Sequence, residues 1–514
     1  EQPEKGAFQM SKQARKEYTK IMSKKKRKIA RRLKRKQWEE QERPMFTAKN
    51  IHYEIAEKGQ AIACGGIGAI HQMVIRSGLV KEIDENLELL KTHVPYHESD
   101  HILNITYNVL SGNVRLEDIE LHRQDSGYLD ALGAQRIPDP TTAGDFTRRF
   151  DREDIVKLMD SVNTVRERVW EEGREEALEE ALIDVDGTIA GTYGECKAGM
   201  DMSYKGIWGY APLIVSLANT REVLYIENRP GNVPSHSGAV AWIDKAIGLV
   251  KPHAKRVCLR GDTDFSLTGN FDRWSEQVDF VFGMDARSGL IKRAGELPEG
   301  VWEKLNRKPK YQVKTEERQK PENVKEQIIR EREYKNLRLE SEYVAEFEYQ
   351  PEKCTESYRM IVLRKNLSVE KGQRRLFDDI RYFFYITTLR DRTAGEVVAL
   401  ANGRCNQENV IEQLKNGVNA MKLPVRDLVS NWAYMVIASL AWNLKAWFGM
   451  LMPNVGRGEQ VLKMEFRRFL NTLIILPCQI VRTGRKIVYR MLGYNDWLKD
   501  FFETWERIRR IRWA

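Results

Sequence analysis

Near residue 181 the spacing of apolar residues changes from a period of about 3.6 to one of 2. That switch restricts the fold more than any other feature of the chain. ALIDVDGTI (181–189) reads as a buried strand, and YAPLIVSLA (210–218) and EVLYIEN (222–228) as two more, joined by a turn at Asn219-Thr220-Arg221. Ser237–Val250 then reads as a helix, Arg256–Arg260 as a strand, Gly269–Ser275 as a short helix and Val278–Gly283 as a strand. The order β-β-β-α-β-α-β predicts three antiparallel strands followed by parallel ones added through crossovers.

Upstream, residues 45–180 carry helical periodicity in segments near 61–77, 78–92, 98–112, 114–124, 142–150 and 151–180. Ser77-Gly78, Ser111-Gly112 and Pro138-Asp139-Pro140 separate them. Residues 285–375 are charged, contain prolines and read as a mixed insertion, with strands near 342–350 and 358–364. RYFFYITTL (381–389) returns as a strand. A helix from Ala394 to Val418 follows, then an apolar helix after Asp427, a helix near 459–473, a hairpin at Thr483-Gly484 and an amphipathic end rich in Trp and Arg. The apolar run Trp432–Trp447 is broken by Asn443 and Lys445 and is shorter than a membrane span, so a buried helix is expected.

Charge points to a polyanionic partner. Of 514 residues, 84 are Lys or Arg and 74 Asp or Glu, a formal charge of +10. Much of the excess lies in residues 12–36, where Lys24, Lys25, Lys26, Arg27, Lys28, Arg31 and Arg32 leave only a thin apolar stripe. Such a segment is either a solvated tail or an arm that lies along phosphates and releases counterions. With 42% hydrophobic residues the rest can bury a core, which excludes a wholly disordered chain. Six dispersed cysteines without a C-x-x-C argue against a disulfide framework and for a reducing cytoplasm; no apolar leader marks secretion.

The acidic residues carry the chemistry. Strand alternation puts Asp184 and Asp186 on one face of 181–189, and Asp262 ends the strand RVCLRGDTDFS. Carboxylates among apolar residues need a cation. Oxygen-only donors select Mg²⁺ or Mn²⁺, and two such ions can activate a hydroxyl against a phosphodiester. The alternative is that these acids cap turns or pair with Arg260.

The ordered series DVDGT, YKGIWGYAPLIVSL, ENRPGN, LRGDTDFS, FFYITTL and RCNQENVIEQLK resembles bacterial insertion-sequence transposases of the DDE class. It is similar to the group with Tyr-x2-Arg-x3-Glu-x6-Lys on the glutamate helix, and the resemblance spans about 45–490. It implies an α/β fold with a ribonuclease-H-like core and a β-rich insertion. It assigns Asp186, Asp262 and Glu408 as catalytic metal ligands, and Arg404 and Lys415 as DNA contacts. Ala401 stands at the signature Tyr and Cys405 where a Gly is common. Steps of four and seven place Arg404, Glu408 and Lys415 on one helical face, with Glu412 a rival for the third ligand, Asp184 for the first and Asp264 for the second.

The implied organisation is a basic arm (1–44), a helical DNA-binding domain (45–180), the core's first part (181–284), the insertion (285–375), the core's second part (376–425) and a helical C-terminal region (426–514). The implied activity is Mg²⁺-dependent cleavage at terminal inverted repeats and transfer of the 3′-hydroxyl into target DNA, by at least a homodimer on the bacterial nucleoid. Rival expectations are a DNA-binding regulator without catalysis and a structural ribonucleoprotein component. HESDH (97–101) fits H-E-x-x-H but reads as the polar start of a helix. CGGIGAIHQ (64–72) begins like a dinucleotide fingerprint but reads as a closely packed helix. The Trp and Arg residues of 497–513 read as core or interface before a base-stacking platform.

Overall fold

The computed structural model describes residues 12–33, 59–93, 95–173, 177–307, 323–484 and 486–511. Its centre is a nine-stranded sheet of β1 (Ala181–Gly187), β2 (Leu213–Leu217), β3 (Glu222–Glu227), β4 (Val257–Gly261), β5 (Asp279–Met284), β6 (Glu303–Lys304), β7 (Lys335–Tyr349), β8 (Tyr358–Lys371) and β9 (Arg374–Thr387). The spatial order is β6-β7-β8-β9-β5-β4-β1-β2-β3. β1, β2 and β3 are antiparallel neighbours, while β4 and β5 run parallel to β1. β9 pairs antiparallel with β5, and the two long strands β7 and β8 of the segment read as an insertion continue the central sheet beyond it.

The sheet is covered on both faces, and alternation shows why. Cys258, Val281, Ile361 and Leu363 turn to one side, against Val397 and Val398 of the helix Ala394–Asn402. Leu259, Phe280, Phe282, Met360 and Val362 turn to the other, into the main core. Strands buried on both faces read as continuous apolar runs, as β2 and β5 do.

The helices labelled here are α1 (Lys12–Leu33), α2 (Glu98–Leu110), α3 (Arg152–Gly173), α4 (Ala239–Val250), α5 (Ala394–Asn402), α6 (Cys405–Glu412), α7 (Leu428–Met450) and α8 (Leu498–Arg510). α7 packs on α2, α3 and β3 and is buried over almost its whole length. Its two polar interruptions are both satisfied. Asn443 exchanges hydrogen bonds with the Val223 backbone. Lys445 Nζ donates to Leu462 O at 3.1 Å and lies 3.6 Å from the Trp442 ring centroid, with burial pushing its pKa well down. Among the described residues no helix is long and apolar enough to cross a membrane.

α3 is fixed to the sheet by a buried network. Glu222 on β3 accepts from Arg166 Nε (2.9 Å), Trp170 Nε1 (2.8 Å), Trp447 Nε1 (2.8 Å) and Thr220 Oγ1 (2.6 Å). A buried carboxylate is tolerable only when its lone pairs are filled in this way.

The first segment read as helical instead opens with a strand. Gln60–Ile62 pairs antiparallel with Cys478–Thr483, itself in a hairpin with Lys486–Met491. The glycines that follow permit the docking: a Cβ on Gly66 would meet Leu473 O at 1.9 Å, and one on Gly65 Leu476 O at 2.5 Å. The helix Ile67–Arg76 then starts at Gly66, so a short strand does precede it.

Between β1 and β2 the chain forms a small side sheet of Ala190–Gly191, Trp208–Tyr210 and Asp201–Met202.

Candidate active site

β1 and β4 lie side by side and parallel, so their carboxyl ends open on the same edge of the sheet. Open parallel sheets bind ligands at such edges. The acids divide according to depth along β1. Asp184 is register partner to Arg260 of β4, and both are buried. Arg260 grips it with two bonds, Nε to Oδ1 at 2.7 Å and Nη2 to Oδ2 at 2.8 Å. This fork neutralises Asp184, the rival for the first ligand.

Asp186 lies two residues on, on the same face but at the strand end. Burial pushes its pKa up to about 6; Arg404 opposes the shift and the negative charge of Asp262 adds to it. Asp262 caps the turn after β4, accepting from Asp264 N at 3.0 Å. Its pKa is also raised, by burial first, with Arg404 opposing and Asp264 and Asp285 reinforcing. The structure thus brings Asp186 and Asp262 within electrostatic reach of each other. Asp264 and Asp285 stand beside Asp262. Asp285 was absent from the sequence-based candidates, although its place one residue beyond β5 carried the same signal as Asp262 beyond β4.

The expected single helix over 394–418 is broken. α5 ends at Asn402, Arg404 is the cap of α6, and residues Gln413–Gly417 form a π-helical turn. The break has a steric cause. Arg260 Nη1 donates to Leu400 O at 3.0 Å, and a Cβ on Gly403 would come 2.9 Å from that same nitrogen. The guanidinium ends α5, and glycine makes room for it. π-turns of this kind concentrate at functional sites.

α6 is pinned to the sheet at its start. Arg404 Nη1 bonds Asp186 Oδ2 at 2.7 Å, and buried Gln407 donates to Asp184 O (3.0 Å) and Ile214 O (3.2 Å). Glu408, in the first turn of α6, is exposed. Among the described residues no three His, Cys, Asp or Glu side chains are grouped to hold a metal ion. The cation beside both aspartates is Arg404, bonded to Asp186 and electrostatically attracted to Asp262. Glu412 accepts from Asn416 Nδ2 at 2.6 Å. Lys415 is half-buried. Burial lowers its pKa, Glu412 and Asp186 oppose that, and Lys205 of the side sheet adds to it.

The basic arm has a partner surface. α1 lies against α8, with Lys25 Nζ donating to Met491 O at 2.5 Å and Lys26 Nζ 3.6 Å from Asp496 Oδ1. An open cavity of about 1470 Å³ there is lined by Lys16, Lys20, Lys24, Lys25, Arg27, Lys28, Arg31 and Lys499. The Arg32 side chain lies outside the described residues.

The H-E-x-x-H residues do separate structural work. His101 is buried and stacked on Phe146 (4.4 Å), and burial lowers its pKa to about 4. His97 precedes α2 and stacks on His93, while Glu98 accepts from Leu89 N and Leu90 N.

The sequence matches the family described as Transposase DDE domain group 1 over residues 46–513. The chain belongs to that family. No curated protein matches it. Among solved structures it is similar to a piggyBac transposase in a synaptic complex with hairpin DNA, at 11% identity and a TM-score of 0.36, covering 80% of this chain and 82% of that one. Within this DDE transposase, Asp186 and Asp262 lie at the ends of neighbouring strands on one sheet edge, and α6 docks beside them through Arg404.

Proposed function

We propose that this chain is the transposase of a bacterial insertion sequence: it binds the terminal inverted repeats, cuts the strand and joins the freed 3′-hydroxyl to target DNA. One observation carries the reading. Asp186 near the end of β1 and Asp262 just beyond the parallel neighbour β4 lie within electrostatic reach of each other at the open edge of a mixed sheet, with Asp186 raised to about 6. Two mutually repelling carboxylates gain from a divalent cation, and an oxygen pair suits Mg²⁺ or Mn²⁺. In this reading β1–β5 form a ribonuclease-H-like core, and Asp186, Asp262 and Glu408 hold the metal. A metal pair held there would supply activation of the attacking oxygen and stabilisation of the leaving one.

The chain's own residues supply the rest. Arg404 and Lys415 flank Asp186 with positive charge and bind phosphate oxygens of the scissile strand. Arg260 and Gln407 fix the segment that carries them. The α1 cavity, lined by Lys24, Lys25, Arg27, Lys28 and Arg31, holds duplex backbone. Two ends are joined together, so the working form is a homodimer on two DNA ends, acting on the nucleoid.

A second reading, a DNA-binding regulator without catalysis, draws on the exposure of Glu408 and on Ala401 at the signature Tyr. Cleavage of end-containing DNA with Mg²⁺ separates the two. Wild type is expected to cut, and Asp186→Ala and Glu408→Gln to lose cutting while still binding. Variants that cut as well as wild type refute the assignment; a wild type that binds without cutting supports the regulator.

A further inference from the structure

The side sheet between β1 and β2 exposes aromatic rings where a sheet normally hides them. Tyr193 and Tyr204 are almost wholly exposed and Trp208 is half exposed, with Met202, its register partner, and Ile207 beside it. A soluble surface pays for clustered apolar area, so such a patch calls for an occupant.

The base of the side sheet is held firmly. Lys197 Nζ donates to Leu423 O (2.5 Å) and Val425 O (2.7 Å), Tyr210 Oη donates to Ala198 O (2.8 Å), and Ala198 N donates to Arg426 O (2.9 Å). A Cβ on Gly209, whose φ is +158°, would come 2.1 Å from Ala190 O, so the two strands touch at the backbone. The rings therefore project from a fixed platform instead of folding back.

Charge identifies the occupant. Lys205 Nζ lies 5.3 Å from the Tyr204 ring centroid. The platform begins at Ala190, just beyond Asp186: Gly187 pairs with Leu213, Thr188 N donates to Pro212 O at 2.9 Å and Ala190 pairs with Tyr210, so the side sheet continues the β1–β2 pair outward from the acidic end of β1. Positive charge tracks a phosphate backbone, and aromatic faces stack on bases of any sequence once those bases are unpaired.

We propose that Tyr204 and Trp208, with Lys205, form a stacking platform for unpaired nucleotides of the DNA strand that lies at Asp186 and Asp262. This deepens the transposase reading and rests on it. The platform receives bases splayed from the duplex beside the reacting phosphate and holds the strand without reading its sequence. Tyr193 widens the same surface.

The test compares the full chain's binding to a blunt duplex and to the same duplex bearing a four-thymidine single-stranded 3′ tail, both without divalent metal. Wild type is expected to favour the tailed duplex by about tenfold, within the range set by base–aromatic stacking. The Tyr204→Ala/Trp208→Ala double variant is expected to lose that preference and retain blunt-duplex affinity. Tyr204→Phe/Trp208→Phe is expected to keep most of the preference. Thermal melting of the alanine variant checks folding; exposed rings predict an unchanged transition. A tailed-duplex preference that survives in a folded alanine variant overturns the proposal. So does an alanine variant that changes sedimentation instead of tail binding, because the patch then joins copies of the chain. A wild type that binds neither duplex refutes the DNA reading itself, a different result from either.

Discussion

Replacing Asp186 by Asn should make the protein more stable at neutral pH. The aspartate is held up to about 6 in the folded chain against an ordinary 3.8, chiefly by burial, even with Arg404 opposing the shift. A raised carboxyl pKa means that the folded state pays for ionisation above the folded value, and that the penalty disappears as the pH falls below the unfolded value. At about 1.36 kcal/mol per pH unit, the interval from 3.8 to about 6 corresponds to roughly 3 kcal/mol. Asparagine keeps the shape of the neutral acid, and Arg404 still faces Asp262, so about 3 kcal/mol is the ceiling of the gain at pH 7.

The assay is urea unfolding of wild type and Asp186→Asn, followed by tryptophan fluorescence, at pH 7 and at pH 4. The variant is expected to unfold at higher urea at pH 7, with most of the gain gone at pH 4. Other titrating groups, such as the buried His101, are common to both proteins and cancel in the difference. Millimolar Mg²⁺ should narrow the gap at pH 7 by stabilising wild type alone, since a ligand of the native state shifts unfolding by mass action. A variant less stable than wild type at pH 7, or a gain equal at both pH values, refutes the reasoning.

Arg260→Met should cost about 3–5 kcal/mol in urea unfolding, because it strands the buried Asp184 carboxylate; adding Asp184→Leu should recover much of that loss, and failure of the double variant to recover would show that Arg260 acts mainly through Leu400 O. Deleting residues 11–36 should weaken binding to every DNA sequence and flatten the dependence of affinity on salt, measured by fluorescence anisotropy between about 50 and 200 mM salt; an unchanged slope would make α1 a packing element of α8 and nothing more.

The parts of the fold that local pattern specifies were legible in the sequence. The change of period at 181 marked β1 to β5 in order, because each strand is short, apolar and bounded by turns. Asp186 and Asp262 were visible for the same reason: a polar residue ending an apolar strand is conspicuous. Two things were hidden. The strands near 342–350, 358–364 and 381–389 were legible, but their full length was not, because Arg, Lys and Glu mask the alternation of 335–341 and 365–380, and local hairpin pairing does not reveal that β7 and β8 extend the central sheet beyond β9. The division of α5 from α6 depends on Arg260, which is some 140 positions away; a helical wheel drawn through Ala394–Val418 cannot register a guanidinium arriving from another strand.

The resulting geometry matters for the acids. A continuous helix would carry Arg404, Glu408 and Lys415 on one stripe. Instead Arg404 caps α6 and turns to Asp186, while Lys415 sits in a π-turn one step removed. Spacing along the chain does not reveal that Arg404 is the side chain that turns to Asp186.

The pairing of Gln60–Ile62 with Cys478–Thr483 ties together segments more than 400 residues apart. During synthesis the early strand has no mate until the hairpin has been translated, so the front helices emerge with an open β edge. Completion of this layer is therefore a late event, closing only after the strand at 478–483 has left the ribosome. A message cut short before residue 478 yields a product whose first folded layer is left unzipped, which couples the integrity of that distant hairpin to the quality of the layer around residue 60.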